Sequence, residues 1–116
     1  MSRRFDATEL PGVLRVTPEV HRDARGAFLE THHAPAYRVA GIDVHFVQDN
    51  QSRSSEGTLR GLHAQSPHPQ GKLVRVIEGE IFDVAVDIRR GSPCYGQHVC
   101  ELLSGENHRQ LYLPPG

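Results

Sequence analysis

Polar and cationic side chains interrupt three strand-like apolar runs in the middle of the chain, at residues 46–50, 59–63 and 70–75. A strand of an ordinary sandwich alternates between apolar residues that face the core and polar residues that face water. These runs instead bring a histidine, a lysine, two arginines and several amides within a short stretch of sequence. Because this pattern is typical of β-structure that lines a polar pocket, we expect these side chains to face a ligand.

His63 is the strongest candidate for a catalytic group, as a general base. Gly61 lies in the same run and permits a close approach of backbone or ligand. Arg60 stands three residues before His63 and Lys72 nine after it. Strict alternation places Arg60 and His63 on opposite faces, so a bulge or twist at Gly61 is needed to bring them together. The alternative is that His63, one of eight histidines, is a surface group.

Lys72 and Asp83 are the next candidates, each with an ordinary alternative. Lys72 opens an apolar run and could equally be a solvated residue at the end of a strand. Asp83 and Asp87 share one face of a predicted strand, and that face is either exposed to solvent or directed into the interior of the domain. If that face is internal, Asp83 can accept a hydrogen bond from an imidazole and raise its basicity.

Short β-branched clusters separated by Gly, Pro, Ser and Asn predict many short strands. A turn at residues 23–26 joins the first two strands, and Glu78-Gly79 reads as a compact hairpin turn. One short helix is predicted at 35–40, with Pro35 suited to its first position. The predicted strands are 13–20, 27–32, 44–51, 58–65, 72–77, 80–88, 97–103 and 109–113.

Many short antiparallel strands at this spacing predict a mostly β protein, a cupin-like jelly-roll sandwich or barrel. The length of 116 residues accommodates one core, so we expect a single domain over 1–116. The sequence stops at Pro114-Pro115-Gly116, directly after a predicted strand. Such a turn-forming sequence normally leads into another secondary-structure element. We therefore expect the jelly roll to be incomplete at its C-terminal end, with uncovered sheet edges.

Jelly rolls of this kind often hold a metal ion on a His-x-His pair followed by a Glu. Here His63 is followed by Ala64-Gln65, and His68 lies in a proline-flanked loop, so we expect no metal site. The sequence also lacks a nucleophile motif and a glycine-rich phosphate loop. Cofactor-free acid–base chemistry is the reaction class that remains.

Charge and composition narrow the possible partners and the compartment. The net charge is −1 and no basic run occurs, so a nucleic-acid footprint is missing. No apolar stretch is long enough for a membrane span, and the N-terminus does not resemble a signal peptide, so we expect a cytoplasmic protein. Cys94 and Cys100 would lie roughly 20 Å apart along an extended strand, so we expect free thiols without a catalytic role.

Several motifs follow one another along most of the chain, and together they resemble the dTDP-4-dehydrorhamnose 3,5-epimerase family of the L-rhamnose pathway. The resemblance extends from near the N-terminus to Gly116. The motifs are Asp23-x-Arg25-Gly26-x-Phe28-x-Glu30, Phe46-Val47-Gln48-Asp49-Asn50, Leu59-Arg60-Gly61-Leu62-His63, Gln70-Gly71-Lys72-Leu73-Val74-Arg75 and Gly79-Glu80-Ile81-Phe82-Asp83-Val84-Ala85-Val86-Asp87.

The resemblance implies a cofactor-independent sugar-nucleotide epimerase that works as a homodimer on dTDP-4-dehydro-6-deoxy-D-glucose. His63 matches the base, and Lys72 would stabilise the enolate oxygen. Two further sets match positions that hold the sugar nucleotide. They are Gln48, Asn50 and Arg60, and an N-terminal segment with Arg25, Phe28 and Glu30 that often reaches the nucleotide across the dimer.

The chain departs from the family pattern at its C-terminal end. Family members continue into a strand with a His, then a Tyr that donates the proton, and later an Asp paired with the base. Tyr37, Tyr95 and Tyr112 do not correspond to that donor. Two alternatives to an epimerase follow, namely a non-catalytic sugar-nucleotide binding module and a metal-dependent cupin.

Overall fold

The computed structural model describes residues 2–116, which form short antiparallel strands and one short helix. The mostly β prediction is therefore confirmed. The elements are β1 (Arg3–Ala7), β2 (Leu14–Pro18), β3 (Val20–Asp23), β4 (Gly26–Leu29), α1 (Ala34–Val39), β5 (Lys72–Arg75), β6 (Glu80–Val86), β7 (His98–Ser104) and β8 (Gln110–Leu113).

The strands form one four-stranded antiparallel sheet and two two-stranded ribbons. The sheet has the order β1-β2-β8-β5, and the ribbons are β3–β4 and β6–β7. β8 lies between β2 and β5 and is almost entirely buried, because both faces of the sheet are covered at its centre. This arrangement creates two apolar cores, one on each face of the sheet.

The first core fills the space between the sheet and the β6–β7 ribbon. Leu111 of β8 packs there with Ala85 of β6 and Leu103 of β7, and Leu103 is completely buried. Val74 of β5 lies against the same cluster. The ribbon is thus held over the sheet by apolar contact, and its inner face is the one that carries Asp83 and Ala85 by alternation.

The second core lies on the opposite face of the sheet and docks α1. The ring of Tyr37 is fully buried against Val16 and Tyr112, and it packs edge-on against Phe5 at 5.1 Å between ring centroids. Its hydroxyl lies 2.8 Å from Gln110 Oε1 and 3.0 Å from the Thr31 carbonyl oxygen. Burial raises the pKa of this hydroxyl, so it stays a donor.

Two connections differ from the sequence prediction. Glu78-Gly79 does not close a hairpin, because β5 pairs with β8 while β6 pairs with β7. The turn instead carries the chain from the sheet to the ribbon, and the Gly105 N–H donates to the Gly79 carbonyl oxygen at 2.9 Å. The turn at 23–26 is confirmed, but it closes the separate β3–β4 ribbon.

The predicted strands at 44–51 and 58–65 are wrong, since neither segment pairs with another strand in the described part of the chain. An extended segment becomes a strand only by exchanging backbone hydrogen bonds with a neighbour. Among residues 43–71 the structure gives one backbone–backbone hydrogen bond, from the Thr58 N–H to the Ser55 carbonyl oxygen.

Candidate functional site

The predicted base lies on the unpaired segment. His63 and Arg60 are both exposed, and the Arg60 Nε donates to Ser54 Oγ at 3.1 Å. Gly61 between them has φ of 100°, a conformation that favours glycine, so the backbone bends at the residue where the sequence requires it. A Cβ on Gly61 would come within 3.4 Å of His63 Nδ1, so glycine also leaves room for the imidazole.

Gln48 and Asn50 lie on the same segment and point to the same side, as alternation predicts. Gln48 Nε2 donates to Asn50 Oδ1 at 3.2 Å, and both side chains are exposed. This hydrogen bond orients the two amides relative to each other. The remaining donor and acceptor positions are open to solvent or to a polar ligand.

Lys72 and Asp83 are brought together between the sheet and the β6–β7 ribbon. Lys72 is the exposed first residue of β5, and Asp83 is half-buried on the inner face of β6. Burial raises the pKa of the Asp83 carboxyl, while the Val84 N–H and the Lys72 ammonium oppose that effect. A carboxyl with a raised pKa beside a lysine is a candidate for proton transfer.

Asp87 follows on the same face, but Arg89 and Ser92 already bind its carboxylate. Its fully buried carboxylate accepts hydrogen bonds from Arg89 Nε at 3.0 Å, from the Arg89 backbone N–H at 3.0 Å, and from the Ser92 hydroxyl. Arg89 Nη2 also donates to the Pro11 carbonyl oxygen at 2.7 Å. The Asp87 network therefore joins the loop after β6 to the loop before β2, which is a structural role.

The three N-terminal candidates lie on or beside the β3–β4 ribbon. Arg25 in the turn pairs with Asp23 through Nη2 at 2.7 Å, and the Phe28 ring is 64% exposed. Glu30 directly after β4 pairs with the guanidinium of Arg3, which is almost fully buried. The ribbon thus presents the Arg25 guanidinium and the Phe28 ring to solvent, while the Glu30 carboxylate is paired with Arg3 of the same chain.

These candidates form separate groups. Lys72 and Asp83 belong to one group, the residues of the unpaired segment to a second, and the ribbon residues to a third. Among residues 2–116, no hydrogen bond or ion pair joins His63 to Lys72 or to Asp83. A cavity of about 130 Å³ lies elsewhere, on the other face of β5, and it is lined by Leu29, Thr31, Arg75, Val76, Ile77, His108 and Gln110.

The described residues also bear on metal binding, membrane insertion and the state of the cysteines. No group of three or more His, Cys, Asp or Glu side chains in residues 2–116 is arranged to hold a metal ion. None of the helical structure in that range has the length and apolar character of a membrane span. Cys94 and Cys100 are free thiols, as the sequence predicts.

Sequence reasoning missed Glu101, which lies opposite Asp83 in the β6–β7 pairing, and Arg15, which binds Glu101. Arg15 Nη1 donates to Glu101 Oε2 at 3.2 Å, although the two residues are 86 positions apart. Neither residue stands in a recognisable motif, and only the pairing of β6 with β7 places Glu101 opposite Asp83. The alternation of side chains within 98–104 was the one sequence signal that could have indicated which face Glu101 occupies.

Comparison with known proteins identifies the family. A profile described as dTDP-4-dehydrorhamnose 3,5-epimerase matches residues 7–116. The chain therefore belongs to this epimerase family. Among curated relatives, the dTDP-4-dehydrorhamnose 3,5-epimerase of Methanothermobacter thermautotrophicus is 52% identical over 113 residues, 97% of this chain and 61% of its own length. The Pseudomonas aeruginosa epimerase is 55% identical over 108 residues, 92% of this chain and 60% of its own length.

Solved structures of this epimerase family share the fold. A crystal structure of dTDP-6-deoxy-D-glucose-3,5-epimerase from Legionella pneumophila, in complex with dTDP-4-keto-L-rhamnose, has a TM-score of 0.95 at 50% identity and covers 99% of this chain. A Bacillus anthracis dTDP-4-dehydrorhamnose 3,5-epimerase with TDP and pyrophosphate bound has a TM-score of 0.94 at 39% identity, again over 99%. The predicted cupin-like fold class is confirmed.

The chain is shorter than these family members. It spans about 60% of the length of the curated relatives, and it covers 62% of the Legionella chain and 67% of the Bacillus chain. The epimerase family is thus established for this chain, while each step of the reaction has to be argued from the residues that it contains.

Proposed function

We propose that this chain takes part in cofactor-independent epimerisation of dTDP-4-dehydro-6-deoxy-D-glucose at C3 and C5, giving dTDP-4-dehydro-L-rhamnose for dTDP-L-rhamnose biosynthesis. The observation that carries the proposal is the 0.95 TM-score match, at 50% identity, to an epimerase in complex with dTDP-4-keto-L-rhamnose. The raised pKa of Asp83 beside Lys72 supports it, because proton transfer needs groups of tuned proton affinity.

The proposed reaction uses the C4 ketone of the sugar to acidify the adjacent carbon atoms. His63 takes the proton from C3 or C5, and the electron pair of that C–H bond moves into an enolate whose charge lies on the C4 oxygen. The Lys72 ammonium stabilises this oxygen, and Asp83 supports the charge and proton balance beside it. Solvent water, or a Tyr donor such as the family pattern supplies, then protonates the same carbon from the opposite face, which inverts the centre and restores the ketone.

Gln48, Asn50 and Arg60 are the proposed contacts to the sugar nucleotide from within the chain. Their exposed amides and guanidinium supply the donors that hydroxyl and diphosphate oxygens require. Each already makes a weak polar contact within its own segment, which a ligand can replace. Arg60 suits a diphosphate because a guanidinium offers paired donors.

Arg25, Phe28 and Glu30 are the proposed contacts from a second copy of the chain in a homodimer. The ribbon that carries them exposes the Phe28 ring and the Arg25 guanidinium, which suit a nucleobase face and a diphosphate. Exchange of this segment between two copies would place it beside the partner's base. The compartment that we propose is the cytoplasm, where nucleotide sugars are made.

Deuterium uptake from D₂O into the substrate, followed by mass spectrometry, tests the proposal. The 116-residue chain is compared with a version extended past Gly116 by the C-terminal part of the Pseudomonas relative. Uptake by both places the base within residues 2–116. Uptake by the extended form alone means that the additional part completes the site, and uptake by neither contradicts the epimerase function.

Replacement of the base gives the sharpest prediction for this function. His63→Ala should abolish deuterium uptake, because no other group takes the proton, while the dissociation constant for dTDP changes little. Loss of a general base costs roughly 10²–10⁴ in rate. His98→Ala, an exposed histidine on β7, is the matched control and should keep full uptake. Unchanged uptake in His63→Ala would show that the base assignment is wrong.

A non-catalytic sugar-nucleotide binding module is the second candidate function. It is favoured by the separation of the groups, since no hydrogen bond among residues 2–116 ties His63 to Lys72 or Asp83. Binding of dTDP by calorimetry, together with no uptake by either form in D₂O, would support this function. A metal-dependent cupin predicts instead that uptake is lost on dialysis against a chelator.

A further inference from the structure

Glu101 lies directly across from Asp83 in the β6–β7 ribbon. The antiparallel register pairs Asp83 with Glu101, so both side chains are on the same face of the ribbon. Directly opposed residues in such a pair have Cβ atoms about 5 Å apart, and like charges at that distance destabilise the pairing. Two acids in opposed positions therefore require compensation.

Two arginines compensate the negative charge of Glu101. Arg15 Nη1 lies 3.2 Å from Glu101 Oε2, and Arg109 Nη1 lies 3.4 Å from Glu101 Oε1. Each carboxylate oxygen thus has its own guanidinium, and the Glu101 side chain is only 10% exposed. Arg15 comes from β2 and Arg109 from the residue before β8, so the sheet supplies the positive charge that faces the ribbon.

Asp83 and Glu101, on the inner face of the β6–β7 ribbon, interact with charged side chains of the sheet. Lys72 comes from β5, Glu101 from β7, Arg15 from β2 and Arg109 from the residue before β8. Lys72 is the charged side chain that acts on Asp83 and lowers its pKa, whereas burial raises it and dominates. The two arginines are engaged by Glu101, and Asp83 forms no ion pair in the described residues.

We propose that Glu101 is a positioning residue for Asp83, which binds Arg15 and Arg109 and so keeps both guanidiniums away from the Asp83 carboxyl. The two carboxyl groups thereby have different environments on one strand pair. Glu101 is neutralised by arginines, and Asp83 is left half-buried with Lys72 as its neighbour. The chemical meaning of this inference rests on the proposed function, but its test requires no substrate.

The test is an NMR titration of the Asp83 side-chain carboxyl carbon in the 116-residue chain. In Glu101→Gln the two guanidiniums lose the anion that lies directly across from Asp83. The pKa of Asp83 is expected to fall by about one unit, since an adjacent opposite charge favours the ionised form. A fold maintained in the ¹H–¹⁵N spectrum is the condition for reading the titration.

Asp6→Asn is the matched control, because it also removes an acid from Arg15. The Asp6 carboxylate lies 3.7 Å from Arg15 Nε, on the neighbouring strand β1. Its loss changes the net charge by the same amount as Glu101→Gln but removes nothing opposite Asp83. The pKa of Asp83 should therefore be unchanged, and an equal fall in both variants would overturn the inference as a general charge effect.

A second variant keeps the inference testable if Glu101→Gln does not fold. Arg15 and Arg109 are 35% and 40% exposed, so glutamine can replace both. In Arg15→Gln/Arg109→Gln, Glu101 becomes an uncompensated anion opposite Asp83, and the pKa of Asp83 should rise. A fall or no change here would overturn the inference. Shifts as expected without deuterium uptake would mean that the epimerase proposal fails while the positioning role stands.

Discussion

Asp83 and Asp87 show how neighbouring residues decide the proton affinity of a side chain. They lie on one face of the same strand region, yet burial raises the pKa of Asp83, while hydrogen bonds from Arg89 and Ser92 hold the pKa of Asp87 far below its ordinary range. A carboxylate that accepts several charge-assisted hydrogen bonds is fixed in its ionised form. Asp87 therefore stabilises the fold and Asp83 remains available for chemistry.

The Asp87 network predicts a loss of stability in acid. A carboxyl with a lowered folded-state pKa contributes stability above its unfolded-state pKa of about 4, and this contribution is lost as the pH falls toward the lower, folded-state value. Urea unfolding between pH 7 and pH 3 should show the free energy of unfolding falling below about pH 4. Asp87→Asn should be less stable at pH 7 and show a smaller acid-dependent loss.

Exposed Asp49 provides the control for that experiment. Asp49→Asn should reproduce the pH profile of the unchanged chain, since its side chain is in water in both states. If Asp87→Asn kept the full acid-dependent loss, the loss would have to come from other carboxylates, and the assignment to this network would be contradicted.

At the level of single residues, the sequence predicted which side chains share a face better than it predicted tertiary contacts. Strand alternation correctly placed Gln48 with Asn50 and Asp83 with Asp87. It could not show that Arg89 would turn back onto Asp87, because that contact depends on a loop conformation. Nor could it show that Glu101 faces Asp83, because register between strands is a tertiary property.

Among the elements, α1 docks on the sheet through its one buried side chain, Tyr37, with Ala36 packed beside it. A single hydroxyl proton serves two acceptors, Gln110 Oε1 and the Thr31 carbonyl oxygen, while Gln110 Nε2 donates to the same Thr31 oxygen at 2.8 Å. Helix, central strand and the segment after β4 therefore meet at one small polar cluster. The surrounding apolar core makes an unpaired polar atom there costly.

Tyr37→Phe should lower the free energy of unfolding by about 1–2 kcal/mol, because it leaves the buried Gln110 Oε1 without its donor. The ring and its packing against Phe5 are retained, so the change isolates the hydroxyl. Urea unfolding measures the loss. Tyr95→Phe, at a 62% exposed position, is the control and should leave stability unchanged. An equal loss in both variants would contradict a specific role for the buried hydroxyl.

The sequence predicted elements correctly where local residues determine the structure. It predicted them incorrectly where pairing with another strand determines the structure. The helix was predicted at 35–40 and lies at Ala34–Val39, since Pro35 marks its first turn. β1 was missed because Arg3–Ala7 is mostly polar and lacks strand-like alternation. Segments 44–51 and 58–65 have strand-like composition but no partner within residues 2–116. Composition predicts what a segment can do, and a neighbouring strand decides whether it does.

The whole molecule depends on the apolar contact that holds the β6–β7 ribbon over the sheet. Leu103 is fully buried at that contact, and its neighbour Leu102 points outward and is 43% exposed. Leu103→Ala should lower the free energy of unfolding by about 2–5 kcal/mol, because it leaves a cavity between the two layers. Thermal or urea unfolding gives the value.

Leu102→Ala is the matched control for this prediction, since it makes the same chemical change on the same strand. It should cost about 1 kcal/mol or less, as surface changes generally do. Comparable losses for the two leucines would mean that the ribbon does not depend on its inner face. The proposed position of Lys72 beside Asp83 would then need another explanation, because the two lie on opposite sides of this contact.

The unpaired segment 43–71 carries the proposed base, His63, and we expect its backbone to open to solvent more readily than the backbone of the core strands. Backbone amides without hydrogen bonds exchange with solvent without waiting for global unfolding. Hydrogen exchange around Gln48, Arg60 and His63 should therefore be fast even in a chain whose β8 amides exchange slowly. A screen that selects variants by melting temperature would favour changes in the two cores, and it would not detect changes at the exposed Gln48, Arg60 and His63. Selection for ligand affinity is the route that can order this segment.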